Sequence, residues 1–433
     1  MNILIIGNDA RTHAVAEAFL RSKQKVQLYA YMKSSNPGIA SVSKKYVVGG
    51  YDNLEGIRAF ALENDINFAF IGPEDPLGLG VVDMLAKVGI KAVGPVKSLA
   101  RLETSKSFTR LLMKKYQIPG MPKFEVCRSK ESVQKFIDSV EQFVVKPDGL
   151  TGGKGVMVQG DHFDTKDEGL TIALTLMRKD GMVVMEEKLI GEEFSLQSLC
   201  DGKHLLDFPP VQDHKRAFED DQGPNTGGMG SYSTGKLLPF MKQKDLDEAH
   251  AITTKMADAL HKETGMLYKG VMYGGFIITK GGVKLIEYNA RFGDPEAMNV
   301  LPVMLNDFVE VCIALIEGTL DKIKPEFSDN ATVCKYVVPE GYPSNPKPDQ
   351  EIDISKTSEK KYYASVYQKD GKLLMTRSRA MAFVGVAETI AKAEAIAEKA
   401  CSAVKGKVRH RTDIGTSALI QKRILHMDDI RSQ

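Results

Sequence analysis

The sequence predicts an α/β and α+β multidomain protein, with an N-terminal doubly wound domain on a parallel sheet, a central α+β core and a small α+β C-terminal cap. Three observations predict it. Residues 1 to about 100 alternate short apolar runs with helix-period stretches, the pattern of βαβ units. The middle of the chain is dominated by strand runs joined at glycine-rich turns. Beyond about residue 330 a series of strand runs precedes an alanine-rich helix. A chain of 433 residues exceeds one compact core, and 43% hydrophobic content is ample for several. The expected units are 1–104, 105–328 and 329–433, with 121–189 forming a flap subdomain inside the second.

In order along the chain, "NILIIG", "KVQLYAY", "NFAFIG" and "IKAVG" are the apolar strands of the first unit. They end in polar or glycine-rich corners: "GNDARTH" after Ile6, "NPG" at 36–38 and "GPEDP" at 72–76. Ligands of open α/β sheets lie beyond such carboxyl ends, so the corners are expected to face one crevice. "TSKSFTRLLMKKYQIP" predicts a helix with Phe108, Leu111, Leu112 and Tyr116 on one face, stopped by Pro119. "QFVVKPDGLTGGKGVMVQ" reads as strand, glycine loop, strand; a helix over "EGLTIALTLMRKDG" and a strand "MVVMEEKL" close this piece near 189. "EEFSLQSLCDGKHLLDF" is a hairpin around Asp201-Gly202. The next 22 residues, "QDHKRAFEDDQGPNTGGMGSYS", show neither period and read as a long functional loop wrapped around something. A helix near 244–262 and a hairpin turning at Gly281-Gly282 follow. The cap comprises "ATVCKYVV", "KKYYASVY", "KLLMTR", "AMAFVGV" and a helix over 387–404, and reads as a separate piece.

Composition excludes several classes of function. The 58 basic and 56 acidic side chains nearly cancel, so there is no global attraction to nucleic acid or to an anionic membrane. The five cysteines follow no CxxC or CxxH spacing, which implies neither disulfides nor zinc and fits a reducing cytoplasm. No apolar run reaches the roughly 18 residues of a membrane span. The eight histidines are dispersed and give no HExxH and no nucleophile triad; His13 and His214 are open to binding or to hydrogen-bonded structural roles. Arg411 and Asp413 are placed to tie the cap to the body.

The chemistry concentrates in three places. "DGLTGGKGV", 148–156, is either a phosphate cradle or a plain hairpin turn; it lacks the Ser/Thr and following helix of a Walker loop. Lys146, ending "FVVK", would be costly to bury unpaired and requires an anion, supplied by a ligand or by a neighbouring acid. In "EYNARFGDPEAM", strand alternation puts Glu287 and Asn289 on one face and Ile286 and Tyr288 on the other. That oxygen-rich face suits either a solvated strand edge or a magnesium ion shared with a triphosphate. Arg291, Asp294 and Glu296 have the charges to bind a small zwitterion.

Phosphate lysines, a glycine flap between strands, the "EEKL" hinge and a Glu-x-Asn strand together resemble the ATP-grasp ligases. "QDHKRAFEDDQGPNTGGMG" and "NARFGDPEAM" are similar to the signatures of the glycinamide ribonucleotide synthetase family, and "GPEDPL", "LETSKSF", "VVKPDGLTGGKGV", "EEKLIGEEFS" and "RTDIG" follow in that family's order. The resemblance implies a pre-ATP-grasp N-terminal domain, an ATP-grasp core and a C-terminal cap. It implies a reaction in which ATP and glycine give glycyl phosphate, which the amine of 5-phosphoribosylamine converts to glycinamide ribonucleotide in purine synthesis. Residue by residue it assigns the ATP phosphates to Lys106, Lys146, Gly153, Lys154 and Gly155, the adenine to Glu186 and Leu189, and the ribose to Glu193. Magnesium or manganese falls to Glu287 and Asn289. The glycine and reaction site falls to Arg291 and Asp294, with Lys146 as a third catalytic group, and to Asp213, Gly227, Gly228 and Met229. Gly7, Asn36, Gly38 and Glu74 are assigned to the phosphoribosyl group. The implied partners are these small molecules, with no nucleic acid or membrane, and the implied state is a monomer or weak dimer in the cytoplasm.

The chain departs from the family pattern in two regions. The usual "GxGGREHA" is "GNDARTHA", with Thr12 in place of glutamate, which alters the phosphoribosylamine corner. In the cap "HAGT" is "YASV", and Arg377-Ser378 replaces a glycine pair before an arginine, which bears on how the cap packs over the cleft. Three other readings compete: a related ligase that uses bicarbonate, a nicotinamide dehydrogenase, and a non-catalytic nucleotide sensor. The missing GxGxxG counts against the dehydrogenase.

Overall fold

The computed structural model describes residues 1–150, 152 and 155–433. The first hundred residues build a parallel sheet of β1 (Asn2–Ile6), β2 (Gln27–Met32), β3 (Ser43–Val48), β4 (Phe68–Ile71) and β5 (Lys91–Val93), in the spatial order β3-β2-β1-β4-β5. Ile3 to Ile6 are wholly buried, as a central parallel strand requires. The chain reverses direction of growth between β1 and β4, so the switch-point crevice opens beyond their carboxyl ends, at Gly7 and at 72–74. The strand β3 has no counterpart in the sequence reading. It lies at the sheet edge, with Lys44, Lys45 and Tyr46 exposed, and carries no apolar run to announce it.

Ser105 caps the helix Lys106–Lys115 by accepting the Phe108 N–H at 3.2 Å. Its buried side is Thr109, Arg110, Leu112 and Met113, whereas Leu111 stands 48% exposed, so the predicted face is rotated. The cause is Arg110, which turns inward to a carboxylate and takes the helix face with it.

The flap is a four-stranded antiparallel sheet, Phe124–Cys127, Val183–Glu187, Phe143–Lys146 and Met157–Val158, backed by helices Lys130–Asp138 and Lys166–Asp180. It has its own small core, in which Val133, Phe136, Phe143, Val145 and Val183 pack together. Its strands Phe143–Lys146 and Met157–Val158, the helix and the closing strand agree with the sequence reading, while residues 151, 153 and 154 of the glycine loop lie outside the described residues. One buried ion cluster joins this unit to the body. Glu186 accepts Arg110 Nε at 2.6 Å and Nη2 at 2.9 Å, and Lys146 Nζ at 2.8 Å.

The central sheet is antiparallel. It runs from Gly282–Asn289 through Gly270–Thr279, Glu192–Cys200, Val211–Asp213, Gly230–Ser233, Ala331–Pro339 and Met381–Ala387 to Lys360–Tyr363. The expected hairpins appear: Glu192–Cys200 pairs with Leu205–Asp207, and Gly270–Thr279 with Gly282–Asn289. Two expectations are corrected. The polar stretch 212–233 is not one loop. Val211–Asp213 and Gly230–Ser233 enter the central sheet, and Arg216–Phe218 pairs with Gln222–Asn225 as a projecting ribbon. Nor is the cap a separate layer, because its strand Ala331–Pro339 hydrogen-bonds along Gly230–Ser233 and continues the central sheet. A terminal helix, Ser417–Ser432, returns to the core. There Arg423 pairs with Asp221, and Arg431 Nη2 donates to Asp245 at 2.8 Å.

Arg411 does tie cap to body, and it is fully buried. It donates to Asp413 at 2.9 and 2.6 Å, to Asp221 at 2.9 Å and to the Arg216 carbonyl at 3.1 Å. Removing one partner of a buried pair leaves the other charge uncompensated. Arg411→Ala is therefore expected to lower the unfolding free energy by about 3 kcal/mol, seen as a lower midpoint in urea denaturation followed by circular dichroism. Glu186 titrates in a definable window. Burial pushes its carboxyl up, but Arg110 and Lys146 outweigh burial and hold it at about 2 against an ordinary 4.5. A depressed carboxylate stabilises the fold above pH 4.5 and loses that contribution as pH falls toward 2. The stability difference between the native protein and Glu186→Gln is expected to be flat, at about 3 kcal/mol, from pH 8 to 5, and to shrink below 4.5.

Candidate active site

A cavity of about 270 Å³ opens where the switch-point crevice, the flap and the central sheet meet. The predicted pair Glu287 and Asn289 lines the cavity half-buried; Ile286 and Tyr288 also border it, although the Tyr288 side chain is 3% exposed and its hydroxyl donates to Thr253 at 3.0 Å. A bulge opposite Gly275-Phe276 interrupts the ladder at Ile286. Its carbonyl, turned from the ladder, accepts Arg110 Nη2 at 2.7 Å and Lys146 Nζ at 3.1 Å.

Lys146 and Lys106 both reach the cavity. Lys146 is 5% exposed and finds its anion in Glu186, the neighbouring acid that the sequence left open as an alternative to a ligand. Lys106 Nζ donates to the Gly149 carbonyl at 2.9 Å, and burial lowers its pKa. The carboxylate of Glu186 is therefore engaged with Arg110 and Lys146. Leu189 and Gly155 are described but lie outside the cavity wall. Gly153 and Lys154 lie outside the described residues.

A second ion cluster spans the N-terminal domain and the turn after Asn289. Arg291 Nε donates to Glu74 Oε2 at 3.1 Å, and its Nη2 stands 3.0 Å from Glu103 Oε1. Arg11 reaches Glu74 at 3.4 Å and donates to the Phe292 carbonyl at 3.0 Å. The two carboxylates that share Arg291 divide. For Glu103 burial dominates and pushes its acid up to about 7, despite Arg291. Glu74 is held at about 2, because Arg291 and Arg11 overcome its burial.

Asp294 accepts the Tyr336 hydroxyl at 2.5 Å through Oδ1 and the Arg11 N–H at 3.3 Å through Oδ2, and pairs with Arg379 at 3.1 Å. Asp213 and Lys215 face each other at 3.9 Å, and Lys215 also donates to the exposed Glu193 at 3.2 Å. Burial and the carboxylates of Glu296, Glu193 and Glu287 push Asp213 up, against the pull of Lys215. Glu287 stays ionised. Burial works against it, but Lys215, Lys146, Lys106 and Arg291 together lower its pKa.

The structure thus gathers Glu74, Lys106, Lys146, Glu186, Asp213, Gly227, Glu287, Asn289, Arg291 and Asp294 around one cavity. Gly228 and Met229 stand just behind it. Three phosphoribosyl candidates are not brought in. Gly7 gives its N–H to the Tyr31 carbonyl at 3.1 Å. The Asn36 amide is 1% exposed and used on all sides: it accepts from Gly38 and Ile39 N–H and donates to the Asn8 and Tyr363 carbonyls. Gly38 is filled by the His13 ring, where a Cβ would collide. His13 accepts the Tyr363 N–H at 3.0 Å, and burial holds it near 4, neutral. His214 is neutral for the same reason, at about 3. Sequence reasoning missed Arg11, Glu103, Arg110, Lys215 and Arg379 in the cavity wall. Of these Arg11, in the first helical turn after β1, and Arg379, directly after the altered Arg377-Ser378 pair, carried a positional signal.

The fit to a divalent ion rests on donor chemistry. The Glu287 carboxylate is ionised, faces the cavity and accepts no hydrogen bond among the described residues; Asn289 Oδ1 receives only a 3.4 Å contact from Arg291. No group of three or more His, Cys, Asp or Glu side chains is poised to hold a metal among the described residues. Such a pair suits magnesium, which takes one or two protein oxygens and completes its shell with water and phosphate.

Three family profiles match: the phosphoribosylglycinamide synthetase N domain over residues 1–103, its ATP-grasp (A) domain over 104–297 and its C domain over 332–417. A phosphoribosylamine–glycine ligase of Methanosarcina barkeri is 49% identical over the full length of both chains, and one of Methanocella arvoryzae is 48% identical over the same extent. Among solved structures, the phosphoribosylamine–glycine ligase of Thermotoga maritima superposes with a TM-score of 0.81 at 28% identity, covering 96% of this chain and all of that one. A Thermotoga maritima N5-carboxyaminoimidazole ribonucleotide synthetase, at 16% identity and a TM-score of 0.64, covers 94% of this chain and 99% of that one, and shares the fold. With relatives this similar over their whole length, the chain belongs to the phosphoribosylglycinamide synthetase family.

Proposed function

We propose that this chain is an ATP-dependent ligase that joins glycine to 5-phosphoribosylamine, giving glycinamide ribonucleotide, ADP and phosphate in purine biosynthesis. The observation that carries the reading is the convergence of Lys106 and Lys146, Glu287 and Asn289, and Arg291 and Asp294 on one cavity, in a chain similar end to end to ligases of that name.

The cavity wall, among the described residues, carries carboxylates and cations in equal number. Burial pushes Glu103 and Asp213 toward their neutral forms, which leaves the cations in modest excess, and a bound metal would add further positive charge against a triphosphate. Lys106 and Lys146 would lie along the phosphates, with Lys154 and the glycines beside it closing from the flap. Glu287 and Asn289 would hold magnesium or manganese, which when bound supplies charge neutralisation at the phosphate oxygens. The hinge at 186–189 would take the adenine through backbone groups and Leu189, and Glu193 would take the ribose hydroxyls.

At the other end Arg291 would orient the glycine carboxylate, with Asp294, Asp213 and the backbone of Gly227, Gly228 and Met229 shaping the space around its ammonium. The carboxylate oxygen attacks the γ-phosphorus and ADP departs, leaving glycyl phosphate; the phosphoribosylamine nitrogen then attacks its carbonyl carbon, phosphate departs, and the nitrogen gives up one proton to the departing phosphate or to water. Each step asks chiefly for alignment and charge stabilisation, which this wall of fixed ions provides without a protein nucleophile. An acyl phosphate hydrolyses readily, so closure of the flap has a chemical purpose. Glu74, at the switch-point crevice, would face the phosphoribosyl group; Gly7 and Asn36 are engaged within the N-terminal domain. The five cysteines are buried thiols, which fits a reducing cytoplasm.

The test is ADP release from ATP and magnesium, with glycine and phosphoribosylamine each omitted in turn. Sustained multiple-turnover release is expected only when both are present, glycine alone giving at most about one ADP per enzyme, and release that follows bicarbonate instead of glycine would overturn the reading. Glu287→Gln is expected to lower kcat by about 10²- to 10³-fold with an unchanged far-ultraviolet circular dichroism spectrum. A nucleotide sensor would tolerate the change.

A further inference from the structure

Arg379 lies between the cap strands Lys372–Met375 and Met381–Ala387, outside the residues matched by the ATP-grasp profile, yet its guanidinium reaches the cavity wall. Nη1 donates to the carbonyls of Gly227 at 2.8 Å, Gly228 at 2.8 Å and Asp294 at 3.0 Å, and Nη2 pairs with Asp294 Oδ1 at 3.1 Å. Its plane sits 4.3 Å from the Tyr336 ring centre, and the Tyr336 hydroxyl donates to that same Oδ1. Cation and phenol therefore hold one carboxylate from two sides.

The two loops it joins are fitted to it. A Cβ on Gly227 would stand 3.0 Å from Arg379 Nη2, and Gly228, at φ +109°, would place one 2.6 Å from Pro295 Cδ. Side chains larger than hydrogen would push the guanidinium off the carbonyls and the first loop off the second. The arrangement uses the planar fork of arginine, with several donors in fixed directions, and a lysine ammonium could not satisfy the loop carbonyls and the carboxylate at once. The side chain is 16% exposed, so these contacts are not a mobile surface pair.

We propose that Arg379 is a positioning residue for the ligation: it fixes the Gly227–Gly228 loop against Asp294, so that the glycine end of the cleft is complete only with the cap in place. This rests on the functional reading above. It makes the C-terminal region a builder of the amino-acid subsite, while the ATP subsite, formed by Lys106, Lys146, Glu287 and the flap, is independent of it.

The experiment is steady-state kinetics on the full chain and on Arg379→Lys and Arg379→Ala, varying glycine and ATP separately, with thermal melts of all three. The expected result is a loss of about 10²-fold in kcat/KM for glycine in both variants, an unchanged KM for ATP, and partial recovery of Arg379→Ala by added guanidinium ion. Retention of parental kcat/KM for glycine by Arg379→Lys would overturn the proposal. So would equal losses toward glycine and ATP accompanied by a lowered melting temperature, since those mark general destabilisation. A parent chain that shows no glycine-dependent ADP release overturns the ligase reading itself, and this inference with it.

Discussion

The structure depends on charge compensation in a buried cleft. Guanidinium and ammonium groups gathered to meet a polyanion would repel one another and resist desolvation if left alone. Most are met by an acid: Glu186 between Arg110 and Lys146, Glu74 and Glu103 around Arg291, Asp294 beside Arg379, Asp213 beside Lys215, while Lys106 rests on the Gly149 carbonyl. These carboxylates come from different parts of the fold, so the cleft also fastens the flap, the N-terminal domain and the cap to the central sheet. Binding and assembly share one set of ions.

This sharing explains why Lys146 and Glu186 are placed as they are. A lysine at the end of a buried strand must have an anion at all times, including when no nucleotide is present. Glu186, on the neighbouring flap strand and paired opposite Val144, supplies it. The bulge at Ile286 adds a carbonyl to the same cluster, so Lys146 is held by both flap and core.

Much of this was legible in the sequence where local pattern and chemistry coincide. The apolar runs of β1, β2, β4 and β5, the Glu287-x-Asn289 alternation and the buried Lys146 all follow from neighbours one to four residues away. What was not legible depends on distant partners. Val211–Asp213 and Gly230–Ser233 look like loop because they are short and polar, and they become strands only against Glu192–Cys200 and Ala331–Pro339. The face of the helix at 106–115 was misjudged because Leu111 is apolar and yet exposed, while Arg110 is charged and yet buried. Asn36 looked like a corner available to a ligand, but its amide is consumed by Tyr363, brought from the far end of the chain. Arg379 was marked only as the arginine that follows the altered Arg377-Ser378 pair, and its contacts were not legible, since the groups it binds lie in two loops remote from it in sequence.

The continuity of the central sheet into Ala331–Pro339 sets where this chain can be cut or spliced. Ending the chain between the matched ATP-grasp and C domains would strip Gly230–Ser233 of its outer neighbour and leave a bare row of amides and carbonyls, ready to recruit a strand from another molecule. Fragment complementation, permutation or fusion designs therefore have their safe joints at exposed turns such as Lys280-Gly281 or Asp370-Gly371, and not at the seam that profile boundaries suggest.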